Sequence, residues 1–214
     1  MNLSRSALLL LLTYSSVCFS QEEDSSDEKA EMEIFTMADV SCFSGIWLPT
    51  GNAKLLGPHP IVGVKVGAVK KRFDFGALIE FRFIRSANTY QINYNNNTVS
   101  THNFLGGLLS VYLNYDIAKL SNSEIYVIGG FGWDGFDAIE KDPPTYPKSI
   151  TINSFNYNLG IGGRFHFSKK SKSPYIGTEL IYNFIDYENP KGTSIDGNTI
   201  TIRLMYGSIF YWIK

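Results

Sequence analysis

The sequence predicts an all-β fold: a closed, eight-stranded antiparallel up-and-down barrel of the transmembrane kind. Three observations carry this. Apolar and polar residues alternate with period two from residue 40 onward, short and long connections alternate between the strands, and no stretch has convincing helical periodicity.

The alternation is clearest in Phe73–Phe83. Phe73, Phe75, Ala77, Ile79, Phe81 and Phe83 occupy one face, and Asp74, Gly76, Leu78, Glu80 and Arg82 the other. Successive side chains of a strand point to opposite faces, so one face is apolar and the other carries paired charges. The same pattern recurs in 105–115, where Leu105, Leu109, Val111 and Leu113 oppose Ser110, Tyr112 and Asn114. It recurs again in 155–167, with Phe155, Leu159 and Ile161 against Asn156, Asn158, Arg164 and His166, and in 200–212, with Ile202 and Leu204 against Thr201 and Arg203.

The expected strands are 40–48, 60–70, 73–85, 103–116, 123–134, 153–168, 174–186 and 199–213. Short links follow strands two, four and six (70–72, 117–123, 168–173), and long ones follow strands one, three, five and seven (49–59, 86–101, 135–151, 187–198). In an up-and-down barrel alternate connections share an end, and bacterial outer-membrane barrels have short periplasmic turns and long outer loops. A Greek-key sandwich gives no reason for that regularity.

Ahead of the barrel, residues 1–20 have the layout of a cleaved signal peptide: Arg5, the apolar core Ala7–Leu12, then small and polar residues. Cleavage is expected after Ser20; acylation of Cys18 is disfavoured by Val17 before it. Residues 21–39 begin QEEDSSDEKAEME and read as an acidic, disordered leader, leaving 40–214 for the barrel. Cys42 is then the single cysteine, so no internal disulfide is expected.

With the apolar face in lipid, the other face fills a narrow lumen. The inward charges are Lys65, Asp74, Glu80, Arg82, Arg164, His166, Glu179 and Arg203, four fixed positive charges against three negative. Unpaired charges at that depth cost several kcal/mol each, so a lumenal salt-bridge network is expected. Glycines 63, 67, 76, 160, 162 and 207 on the same face leave room for it. Trp47, Trp133, Tyr175, Tyr182, Phe184, Tyr211 and Trp212 are expected as interfacial aromatic girdles.

The segments GIWLPTG (45–51), LGPHPIVG (56–63), EFRF (80–83), HNFLGG (102–107), IGGFGWDGFD (128–137) and IFYW (209–212) carry a resemblance. Over 40–212 the chain resembles small outer-membrane β-barrel proteins of Gram-negative, Bacteroidetes-type bacteria and is broadly similar to the OmpA transmembrane barrel. The resemblance implies a bacterial outer-membrane location and insertion through the last strand, and it implies no activity. The chain departs from the pattern in ending on Ile213 and Lys214 rather than on an aromatic residue.

Catalysis is not expected. His166 and Ser168 have the two-residue spacing of eight-stranded lipid A deacylases, with Glu179 on the next strand, but the topology puts Ser168 at the periplasmic end. Asp134, Asp137, Glu140 and Asp142 lack a calcium-loop spacing, and His59 and His102 are scattered, so no metal or cofactor is expected. With 19 basic and 20 acidic residues, nothing suggests nucleic acid. The expected partners are outer-membrane lipid and, through the long loops, a surface ligand or protein. The Tyr- and Asn-rich 86–101 is the foremost candidate. The alternative is a secreted, lipocalin-like ligand-binding barrel with the same strands turned inside out.

Overall fold

The structure, a computed structural model, describes residues 37–94, 97–139, 149–168, 173–189 and 191–211. Eight strands close into one antiparallel barrel: β1 (Met37–Pro49), β2 (His59–Lys70), β3 (Phe73–Arg82), β6 (Leu105–Lys119), β7 (Ser123–Ile139), β8 (Ser149–His166), β9 (Ser173–Phe184) and β10 (Thr199–Tyr211). Each pairs with its neighbour in the barrel, and β1 closes on β10 through a register running from Met37↔Tyr211 to Pro49↔Thr199. Closure leaves no open edge, which is what a sheet in hydrocarbon requires.

Two elements lie outside the barrel. A 3-10 helix, Gly51–Leu56, follows β1, and a hairpin of β4 (Tyr90–Tyr94) and β5 (Asn97–Thr101) stands between β3 and β6. From the sequence alone both segments read as plain loop. Strand limits also differ. β1 opens at Met37, so Met37, Ala38 and Asp39 belong to the barrel rather than to a leader. β6 runs on to Lys119 through a bulge between Asp116 and Ala118, shrinking that link to Leu120–Asn122. β7 and β8 extend to Ile139 and from Ser149, because Phe136, Ala138 and Ile152 are buried beyond the stretch of simple alternation.

The alternation becomes an inside and an outside. Along β3 every odd residue from Phe73 to Phe81 is exposed, while Asp74, Leu78, Glu80 and Arg82 are buried. Val62, Val64, Val66, Leu109, Leu113, Leu180, Leu204 and Tyr206 extend the apolar outer wall around other strands. The buried set is inside: Asp39, Lys65, Asp74, Glu80, Arg82, Asp116, Asp134, Arg164, Glu179 and Arg203 among the charged residues. The girdle expectation divides. Trp133, Tyr182 and Phe184 are exposed on the outer wall, whereas Trp47 and Tyr175 are buried in the interior. Both lie on the lumenal parity of their strands, in step with Phe43 and Gly177 respectively. Trp212 and the side chain of Tyr211 lie outside the described residues, as do residues 1–36, including Cys18.

Candidate functional site

The lumen is a stack of charges, and its upper part is an alternating chain. Near the long-loop end Arg82 grips Asp134 with both terminal nitrogens, at 2.7 and 2.8 Å, and its Nε donates to Glu80 Oε1 at 2.9 Å. Glu80 Oε2 accepts from Arg203 Nη2 at 2.8 Å and Nε at 3.1 Å. Arg203 Nη1 reaches Glu179 Oε2 at 3.2 Å, and Lys65 donates to Glu179 Oε1 at 2.5 Å. Three carboxylates and three cations therefore alternate, each carboxylate meeting at least one cation. Among side chains this deeply buried, such a chain offsets desolvation that single charges could not.

Toward the short-turn end Arg164 bridges Asp74 at 2.5 Å and Asp39 at 3.1 Å. Asn114 and Tyr112 also donate to Asp74, and Tyr175 donates to Asp39 at 2.8 Å. His166 stands at the rim, 3.4 Å from Glu124, which together with Asp116 also holds Lys119. Beside them opens a cavity of about 210 Å³ lined by Asp74, Asp116, Lys119, Glu124, Arg164 and His166.

The geometry adds residues that the alternation did not supply. Asp39, Asp116 and Asp134 bring the buried lumenal carboxylates among the described residues to six, against four buried fixed cations. Asp39 was hidden by its place after an acidic run. Asp134 was hidden by its nearness to a long connection, although its parity with Gly132 and Phe136 already marked it as inward. His166 meets the rim rather than the central chain.

The lumenal glycines serve rings more directly than charges. A β-carbon at Gly63 would collide with Phe43, at Gly67 or Gly76 with Tyr112, at Gly162 with Tyr126, and at Gly207 with Tyr175. The cations then lie over these rings: Arg203 on Phe43 (4.7 Å), Lys65 on Tyr112 (4.2 Å), and Arg164 on Tyr126 (4.7 Å) and Tyr175 (5.3 Å). Arg82 lies over Trp47 at 4.8 Å. Each fixed positive charge thus has a carboxylate at its head and an aromatic face along its side.

Above the charges is an aromatic layer. His59 stacks on Phe104 at 4.0 Å and Phe104 on Phe136 at 4.8 Å, with Trp47 and Tyr187 against the same group. The Tyr187 hydroxyl reaches down to donate to Asp134. Three of the long connections are then knitted over this layer. Thr50 and Asn52 bond to Asn198 and Asp196, Ala87 and Asn88 to Leu56 and Leu55, and Asn189 and Thr193 to Gln91. Tyr90, Ile92, Leu56 and Ile195 are buried beneath them. Burial raises the pKa of the Tyr90 hydroxyl, which donates to Asn103 O at 2.8 Å. Gly57 takes the left-handed φ of 80° that ends the 3-10 helix and lets Ala87 approach closely.

Catalytic and metal arrangements do not assemble from the residues considered for them. Glu179 is engaged by Lys65, Arg203 and Tyr126 and pairs in register with Gly162, four residues along β8 from His166. That is about 13 Å at the strand rise, too far for the hydrogen bond an orienting acid must make. Asp134 points inward, whereas Asp137 accepts from Thr151 at 2.6 Å on the opposite face; Glu140 and Asp142 lie outside the described residues. Among the described residues no group of three or more metal-ligating side chains converges.

No protein-family model and no curated relative matches the chain. Among solved structures it is similar to Neisserial surface protein A, with a TM-score of 0.56 and 10% identity over 82% of this chain and 97% of that one. A major outer membrane protein from Thermus thermophilus aligns with a TM-score of 0.49 and 12% identity, over 81% and 99% of the two chains. The N-terminal β-barrel domain of Pseudomonas aeruginosa OprF gives 0.45 and 13%, over 82% and 98%. At 10% identity the likeness to Neisserial surface protein A is one of fold, a closed eight-stranded antiparallel β-barrel.

Proposed function

We propose that this protein is an integral, non-catalytic barrel of a bacterial outer membrane, with a filled lumen as its strut and knitted outer loops as its binding platform. The observation that carries this is the reversed polarity of the wall, with large apolar side chains outside and the charges inside. A soluble monomer rarely exposes more than a few hundred Å² of continuous apolar surface. Lipid-facing strands expose an apolar band about 25 Å tall. The wall also argues against the lipocalin-like reading, because a ligand would need an apolar interior, and this interior is occupied by ion pairs and rings.

The test is migration of folded protein, refolded in detergent, on gels with and without boiling. A faster unboiled band that needs detergent for its formation is expected. Folding in plain buffer would overturn the orientation of every strand.

The platform binds a surface ligand or a neighbouring protein through polar side chains of the β4–β5 hairpin. Gln91, Thr98 and Ser100 are exposed there, while Tyr90 and Ile92 anchor the hairpin from below. Changing the three exposed residues to Ala, with the anchors kept, alters the binding profile of cells displaying the protein. An unaltered profile would count against a role for this hairpin.

A further inference from the structure

The link between β2 and β3 is Lys71-Arg72, preceded by Lys70 as the last residue of β2, and all three side chains are exposed. Lys71 stands at a φ of 56°, a left-handed conformation that glycine or asparagine adopts at much lower cost in a two-residue hairpin link. Turn formation alone therefore does not account for a lysine here. Its backbone carbonyl is engaged by Lys119, which holds the turn while leaving the Lys71 side chain exposed.

Immediately along the outer wall is a groove of about 430 Å³ lined by Lys70, Lys71, Phe73, Phe75 and Leu113. Its position follows from register. Lys70 pairs with Phe73, and Ala68 pairs with Phe75, which pairs in turn with Leu113. Lys70, Phe73 and Phe75 all project outward, and the small side chain of Ala68 leaves the dent. No carboxylate lines the groove: the nearby acids, Asp74 and Asp116, are buried inside the barrel and paired with Arg164 and Lys119.

A cationic rim over an apolar trough matches one chemistry, an anionic head joined to a hydrocarbon chain. We infer that this turn and groove form a binding site for an anionic phospholipid of the leaflet at the short-turn end. Its phosphate lies among Lys70, Lys71 and Arg72, and an acyl chain lies along Phe73, Phe75 and Leu113. The inference rests on the membrane-barrel reading, which gives the outer wall its lipid. Within it, the left-handed lysine keeps a second charge, beside Lys70, on the rim of the groove.

The test is native mass spectrometry of the folded protein released from neutral detergent micelles containing equal amounts of phosphatidylglycerol and phosphatidylcholine. The parent protein is expected to retain phosphatidylglycerol preferentially, and each basic residue removed is expected to weaken retention about fivefold. Lys71→Gly is the informative single change, because it removes charge while relieving the backbone. It is expected to raise the unfolding midpoint and lower phosphatidylglycerol retention together. Phe75→Ala is expected to weaken retention of both lipids. Undiminished retention by Lys71→Gly and by the triple variant Lys70→Ser/Lys71→Gly/Arg72→Ser overturns the site. So does retention of soluble glycerol phosphate equal to that of phosphatidylglycerol in the same measurement, which would mean that the groove contributes nothing. A parent protein that shows the heat-modifiable band but no lipid preference overturns the site alone. One that never forms that band overturns the membrane reading and the site with it.

Discussion

Replacing Arg82 by Met removes the cation that joins the aromatic layer to the charge chain. Arg82 is fully buried and makes three hydrogen bonds to carboxylates, two to Asp134 and one to Glu80, and a longer one to the Tyr187 hydroxyl, besides lying over Trp47. The carboxylates are not left bare. Glu80 keeps two bonds from Arg203, and Asp134 keeps Tyr187 and Asn156. Removing one member of a buried ion pair costs about 3–5 kcal/mol, and the remaining donors hold the loss within that range. Asp134→Asn should cost a similar amount, because Arg82 would then share Glu80 with Arg203. The double variant, Arg82→Met with Asp134→Asn, leaves neither charge unmatched and keeps an acceptor for Tyr187. Its loss should fall short of the sum of the single losses by about 2 kcal/mol, a coupling of the size seen for residues in direct contact. Denaturant unfolding in detergent or vesicles, followed by tryptophan fluorescence and by the unboiled gel band, measures all four corners of the cycle. Added salt should change the coupling little, since a fully buried pair is weakly screened. Single losses that add within about 0.5 kcal/mol would refute the idea that Arg82 and Asp134 stabilise the barrel as a pair.

Other parts of the molecule give sharper, smaller tests. Gly162→Ala places a methyl group against the Tyr126 ring on which Arg164 rests, and should lower stability by about 1–3 kcal/mol through overpacking; an unchanged unfolding midpoint would contradict the packing. Cys42 projects outward on β1. In a chain beginning at Gln21 it should resist a water-soluble maleimide when folded in vesicles and react once unfolded, whereas rapid labelling of the folded protein would place that wall in water. Asn189→Ala removes bonds to Gln91 O and Thr193 O at 2.9 and 2.8 Å. Amide exchange in 86–103 should rise while barrel stability stays within about 0.5 kcal/mol, and an unchanged exchange pattern would mean that the hairpin is held by its apolar anchors alone.

The barrel was legible because its signals are local. Period two and the contrast between KKR at 70–72 and the long connections can both be read within about fifteen residues of chain. The eight strands consequently occur where the alternation places them, and the buried face of β3 was readable from Phe73–Phe83 alone. Composition misled where it ran against parity. Trp47 and Tyr175 have the composition of a membrane interface but the parity of the lumen, and parity prevails because the pleat fixes side-chain direction. Asp39 and Asp134 sit where acidic or loop-like neighbours mask the strand.

Partners were beyond local reading. Arg203 meets Glu80 across 123 residues of chain, Lys65 meets Glu179 across 114, and Arg164 meets Asp74 across 90. Such meetings depend on register and on closure of β1 against β10, which bring distant rows to the same height in the lumen. The same holds for the cap, where Gln91 bonds to Asn189 and Thr193 through loop geometry that carries no periodic signal. The sequence by itself determined which face of each strand is apolar and which holds charge, because side-chain direction follows the pleat. The tertiary structure alone decided which charges pair, which rings support them and how the mouth is covered, because those contacts exist only once the sheet has closed.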